Sequence, residues 1–120
     1  MADAFHDTTT GDTAREIRLD ILDFPKDPAA ATCTFKMVTE ELEGGTVTTK
    51  VNGSAGSVTE LVDHLDGTWD FRLAYVFTAA NLDTADDYLG QWTVTFSDTK
   101  THHFPFSSTQ KMKIKVNAAL

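Results

Sequence analysis

One cysteine, Cys33, stands in 120 residues, so no disulfide can form within the chain. That excludes the stapled scaffolds of small secreted domains and leaves a hydrophobic core as the source of stability. Three prolines and seven glycines are too few for collagen-like or low-complexity architectures. No apolar run approaches the roughly 20 residues that a membrane-spanning helix needs. Bases are scarce, ten against eighteen acids, for a formal net charge of -8. Such a surface repels phosphates and anionic lipid, so neither nucleic acid nor membrane is expected as a partner. Met-Ala-Asp-Ala-Phe-His-Asp at the start carries no basic segment and no hydrophobic stretch. A secretory signal is therefore not expected, and synthesis in a cytoplasm is.

What is present is alternation. Apolar residues make up 41% of the chain and are spread along it, enough for one folded domain. Residues 1–13 are acidic, threonine-rich and weakly patterned, and read as a flexible N-terminal arm, with residues 14–120 as a single domain. Ile17, Leu19 and Ile21 alternate with Arg18 and Asp20, which predicts a first strand over 14–22. Phe24-Pro25-Lys26-Asp27-Pro28 reads as the turn that ends it. Strands are predicted over 31–38 and 46–51, the second closed by the turn signal Asn52-Gly53. Residues 57–65 fit a strand or a short helix, and strand is preferred because its neighbours are strands. Phe71, Leu73, Tyr75 and Phe77 mark a central strand over 70–78 with apolar character on both faces. Later strands are predicted over 89–97, 101–104 and 110–117, with Pro105 interrupting the pairing. Seven to nine short strands at this spacing describe an all-β fold, an antiparallel sandwich.

The stretch from Leu82 to Phe96 refines this. Asp83, Asp86 and Asp87 lead into Tyr88, then Gly90, then alternating Trp92, Val94 and Phe96. An acidic loop, a tyrosine and a strand in that order are how a late strand of an immunoglobulin-like β-sandwich begins.

Chemistry-bearing residues do not form a reaction centre in the sequence. His102 and His103 are adjacent on a strand and point to opposite faces, so they do not share a metal. His6 and His64 show no ligand spacing. The acids Asp83, Asp86 and Asp87, and likewise Asp63, Asp66 and Asp70, read as solvated loop residues and not as a calcium loop. Cys33 shares a strand face with Phe35 and Met37 and reads as a small buried hydrophobe. There is no Gly-x-Ser-x-Gly elbow and no glycine-rich phosphate loop. Catalytic, cofactor and metal residues are therefore expected to be none, and the chain is expected not to be an enzyme. The residues assigned to partner binding are Phe5, Thr8, Thr9 and Thr10 in the arm, Trp69 near a turn, and the basic stripe Lys111, Lys113 and Lys115. That stripe reads either as protection of an edge strand or as a contact for a neighbour's acidic loop.

Several short motifs together carry a resemblance. They are Gly11-Asp12 before the first strand, Thr34-Phe35-Lys36-Met37, Leu73-Ala74-Tyr75-Val76-Phe77-Thr78, Asp87-Tyr88-Leu89-Gly90-Gln91-Trp92, Val94-Thr95-Phe96-Ser97-Asp98 and Phe104-Pro105-Phe106. Over residues 11–117 the chain resembles the immunoglobulin-like domain of tailed-phage virion proteins, especially the N-terminal domain of siphophage upper-baseplate proteins and related small structural proteins. The resemblance implies a virion building block without catalysis, made in the host cytoplasm, whose partners are the major capsid protein or other virion proteins. A homo-oligomer, with a trimer as one option, is part of that expectation. The chain reaches Leu120 directly after its last predicted strand, with no heptad stalk, which turns the expectation from a baseplate anchor toward a capsid decoration or cement protein. A tail or baseplate subunit is one alternative. A carbohydrate-binding module using Trp69, Tyr75 or Tyr88 as its platform is another.

Overall fold

A computed structural model describes residues 5–9, 15–39, 48–105 and 112–117. Within them the chain is a two-sheet β-sandwich with one 3-10 turn. The strands are β1 (Phe5–Thr9), β2 (Glu16–Phe24), β3 (Thr32–Thr39), β4 (Thr49–Ala55), β5 (Ser57–Asp63), β6 (Trp69–Val76), β7 (Asp86–Thr95), β8 (Thr101–Phe104) and β9 (Met112–Asn117). One sheet has the order β2-β6-β5. The other has the order β1-β9-β7-β3-β4, with β8 also paired to β7. All pairs are antiparallel except β1 with β9, which run parallel.

This order is that of an immunoglobulin-type sandwich. The β2-β6-β5 sheet matches strands B, E and D, and β9-β7-β3-β4 matches G, F, C and C′ of the variable type. The tyrosine corner is present too. The Tyr88 hydroxyl donates to the Thr84 carbonyl at 2.8 Å, four residues upstream and just ahead of β7. That bond fixes the acidic loop where it enters the strand.

Period-2 alternation builds the core. Ile17 and Ile21 of β2, Cys33, Phe35 and Met37 of β3, Phe71, Leu73 and Tyr75 of β6, and Tyr88, Trp92 and Val94 of β7 all point inward and are buried. With Met112, Ile114 and Val116 they belong to one hydrophobic cluster between the sheets. Two aromatic groups cross the gap. Phe35 lies 4.8 Å from both Tyr75 and Trp92, centroid to centroid. At the other end Phe24 meets Phe71, Phe96 and Phe104 at 5.3–5.9 Å. Each such pair adds about 0.5–1.5 kcal/mol beyond its area.

Several sequence expectations change. The segment expected as a free arm is in part a strand, with Phe5–Thr9 laid along β9. Thr10, Lys111 and the remainder of residues 1–13 lie outside the described residues, as do 40–47. Asn52-Gly53 does not turn the chain. Phe35 pairs with Ser54 and Lys36 with Asn52, so Gly53, at φ 73°, is the extra residue of a β-bulge inside β4. The pairing of β3 with β4 continues through it and overrides the local turn signal. Residues 57–63 are strand, with a second bulge at Glu60 where φ is 55°. The outer face of β6 is only partly covered, since Val76 is exposed. Finally, β9 lies between β1 and β7, so the lysines of its outer face do not guard a sheet edge.

Gly90 is the tightest point of this packing. A Cβ there would stand 2.8 Å from Phe35 Cζ and 2.8 Å from Ile114 Cδ1. The Phe35 ring is held between Tyr75 and Trp92 and has nowhere to go. Gly90→Ala is expected to cost about 1–3 kcal/mol, the usual range for overpacking. The check is the urea midpoint, which should fall at unchanged slope; an unmoved midpoint would mean that Phe35 is not seated over Gly90.

Candidate functional site

Most strand faces of this sandwich are conventional, but one is not. Among the described residues, the large apolar side chains left exposed are Leu22, Leu61, Val62, Leu65 and Val76. All five lie on the β2-β6-β5 sheet or its β5–β6 hairpin. Leu22 is 68% and Leu65 89% exposed. Local geometry explains why they point out. Asp23 has φ 53°, and the register between β2 and β6 shifts between Ile21 and Phe24. That bulge turns Phe24 into the core and leaves Leu22 on the outer face. The Glu60 bulge does the same for β5, placing Val62 in register with Asp70 on that outer face. Leu65, also at positive φ, sits at the hairpin. Leu22 and Val62 thus flank Asp70, and together with Asp20, Glu60 and Arg72 they line a shallow open depression. Arg72 donates to Asp20 across its floor at 2.7 Å.

At one end of this face lies a charged cluster that the sequence spacing did not show. His64 Nε2 is 2.8 Å from Asp70 Oδ1 and 3.5 Å from Asp23 Oδ1. Asp70 Oδ1 also accepts from the Asp23 backbone N–H at 2.9 Å. Three elements meet here: the end of β2, the β5–β6 hairpin and the start of β6. The hairpin is shaped by its own acids. Asp63 accepts from the Leu65 N–H and Asp66 from both the N–H and hydroxyl of Thr68. The His64 N–H donates to the Thr68 carbonyl at 3.1 Å and closes the loop. Hydrogen bonding to Asp70, then the nearby charges of Asp70, Asp23 and Asp66, raise the His64 pKa above its ordinary 6.5. The same bond, with that from Asp23 N–H, holds Asp70 below its ordinary 3.8. These three side chains offer one nitrogen and two carboxylate oxygens, all within 4.8 Å of one another, and so could hold a metal ion. The only signal in the sequence was composition, because 40 residues lie between Asp23 and His64.

The other candidates are dispersed. Trp69 is half-buried, in register with Phe24 and Asp63 at the end of the sandwich. Lys113 and Lys115 are exposed on β9, with Lys115 in register with Asp87 of β7 and Lys113 with Leu89. Phe5, Thr8 and Thr9 stand in β1, opposite Lys113, Val116 and Asn117. The structure therefore brings β1 and the lysines of β9 side by side in one sheet and leaves Trp69 in the other. Tyr75 and Tyr88 are buried, and the Tyr75 hydroxyl donates to Asn81 Oδ1, so neither ring offers a face to a sugar. His102 packs against Phe24 and Phe96, while His103 is exposed beside Thr93. Asp83 pairs with Lys50 and accepts from Thr84, and Asp86 accepts from the Asp87 N–H, so these loop acids do not converge. Cys33 is buried, and burial pushes its thiol up to about 11, far from a reactive thiolate at neutral pH.

No protein-family model matches the chain, and no curated protein matches it. A solved structure of murine CRIg is similar at a TM-score of 0.34 and 9% identity, over 100% of this chain and 94% of that one. The immunoglobulin-type assignment rests on the strand order and tyrosine corner above.

The His64–Asp70 pair has a defined pH window. Because His64 is raised, its contribution is complete below 6.5 and is lost as pH climbs through its elevated value. Because Asp70 is lowered, its contribution is complete above 3.8 and is lost as pH falls through its depressed value. The pair therefore stabilises the hairpin between those limits. In the presence of a chelator, an NMR titration should find the His64 midpoint above 6.5, and Asp70→Asn should lower it. A wild-type midpoint at or below 6.5 would show that the contact does not persist in solution.

Proposed function

We propose that this protein is a non-enzymatic structural subunit of a phage virion, a capsid decoration or cement protein that docks on the shell and bridges its subunits. The observation that carries the docking half is the collection of exposed apolar side chains on the β2-β6-β5 sheet. An immunoglobulin-type sandwich needs only one buried layer, and this one has it. Apolar residues on the outer layer are then surplus to folding, and burying them against a partner gains about 25 cal/mol per Å². The virion half follows from the motif resemblance, from Tyr88 into Trp92 and on to Phe96 above all. The partner is the major capsid protein, and copies of the chain cluster around the shell's symmetry axes, as trimers in the simplest arrangement. Weak contacts repeated over a lattice multiply in effect. The surface is acidic overall, which keeps unassembled copies apart in the host cytoplasm.

Two measurements test this. Quantitative mass spectrometry of purified virions should find on the order of hundreds of copies, as a lattice protein requires. A count of a few dozen would move the chain to the tail or baseplate, and absence from the particle would overturn the reading. Leu22→Asp combined with Leu65→Asp should leave the fold intact, since both side chains are exposed, yet lower particle occupancy at least about tenfold, equivalent to 1.4 kcal/mol. Unchanged occupancy would remove the β2-β6-β5 face from the docking role.

A further inference from the structure

Asp23, His64 and Asp70 come from three separate parts of the chain and point their donor atoms at one place. We propose that they form a binding site for a divalent transition-metal ion, zinc foremost, with one coordination position left open. The donor set favours that class. One imidazole nitrogen with two carboxylate oxygens suits zinc, whereas calcium and magnesium take oxygen ligands and more of them. The geometry is close to what is needed. Ligand bonds of about 2.0–2.2 Å in a tetrahedron place donor atoms about 3.3–3.6 Å apart. His64 Nε2 lies 2.8 Å from Asp70 Oδ1 and 3.5 Å from Asp23 Oδ1, and all three donor atoms lie within 4.8 Å of one another, so an ion that replaces the Nε2 proton needs donor separations to change by no more than about 1.5 Å.

Each donor is already positioned by the backbone. Asp70 stands in β6 with Val62 opposite, His64 is held by its N–H bond to Thr68, and Asp23 occupies the left-handed position of the β2 bulge. The two carboxylates sum to -2 when the imidazole is neutral, and Asp66 adds to the negative field at His64. A divalent ion neutralises the pair it binds. All three side chains reach solvent, with 32% of the His64, 26% of the Asp70 and 77% of the Asp23 side chain exposed, so an ion reaches them without disturbing the core. The imidazole and the origin in three elements set this group apart from Asp83 and Asp86, whose carboxylates are spent on Lys50, Thr84 and backbone. The site does not depend on a virion role and would stand without it. It adjoins the exposed apolar face, because Leu22 and Val62 flank Asp70.

The test is a zinc chloride titration of the chelator-treated full chain, followed by calorimetry and by NMR. One saturable site should appear, with the His64 ring and the Asp23 and Asp70 amides shifting together. His64→Ala changes only a surface hairpin and should weaken binding at least about tenfold, the lower bound of what even outer-shell partners contribute. Asp83→Asn should bind as the wild type does, and calcium should not compete. Absence of saturable binding up to about 1 mM zinc, equal binding by His64→Ala, or shifts centred on His102 and His103 would each overturn the proposal.

Discussion

The seat of the Phe35 ring is the constraint on which this sandwich depends. Phe35 rises from β3, stacks on Tyr75 of the opposite sheet and leans on Trp92 of its own. It can do so because Gly90, diagonal to it on β7 and opposite Met37, presents no side chain. In antibody domains the residue two positions beyond the corner tyrosine is a disulfide cysteine. Here that position is Gly90, two residues after Tyr88. The space that a disulfide would bridge is filled by an aromatic ring, and a chain with a single cysteine still locks its two sheets. The second aromatic group, around Phe24, closes the other end and draws β8 onto the core through Phe104. Between the two groups the alternating strands have little freedom to slip, since a one-residue shift would turn each buried aromatic outward.

The fold was legible where alternation was strong and partners were close in sequence. Phe71, Leu73 and Tyr75 announce β6, and Met112, Ile114 and Val116 announce β9. Tyr88 after an acidic loop announces the corner, which the hydroxyl bond to Thr84 completes. What stayed hidden was set by long-range pairing. Nothing in Phe5–Thr9 shows that it runs parallel to a strand more than a hundred residues later. Asn52-Gly53 carries a local turn preference, but the ladder with β3 absorbs it as a bulge. The lysines of β9 read as edge residues because the strand that covers that edge was itself not visible. His64 showed no spacing to any ligand, because its neighbours are set by hairpin closure and by the β2 bulge rather than by sequence distance.

Irregular backbone and surface chemistry coincide in this protein. Of the five non-glycine residues with positive φ, Asp23, Glu60 and Leu65 fall on the smaller sheet and its hairpin, while Ala30 and Thr99 lie in loops. The first three turn Phe24 inward and Val62 outward, bring Asp23 beside His64 and blunt both outer strands of that sheet against unwanted pairing. The larger sheet has two register shifts in its β3–β4 ladder, but among the described residues of β3, β4, β7, β8 and β9 it exposes no large apolar side chain. A working division follows: the larger sheet and the interlocked aromatics supply stability, and the outer face of the smaller sheet is the surface proposed to meet a partner. The exposed side chains would be costly to keep on a protein that works alone, since they invite association.

The most direct test of that division is hydrogen–deuterium exchange of the full chain, free and bound to purified capsids. The account predicts added protection in β2, β5 and the β5–β6 hairpin, with β3, β4 and β9 unchanged. Protection confined to β4, or to β1 and β9, with the β2-β6-β5 sheet unaffected, would contradict it.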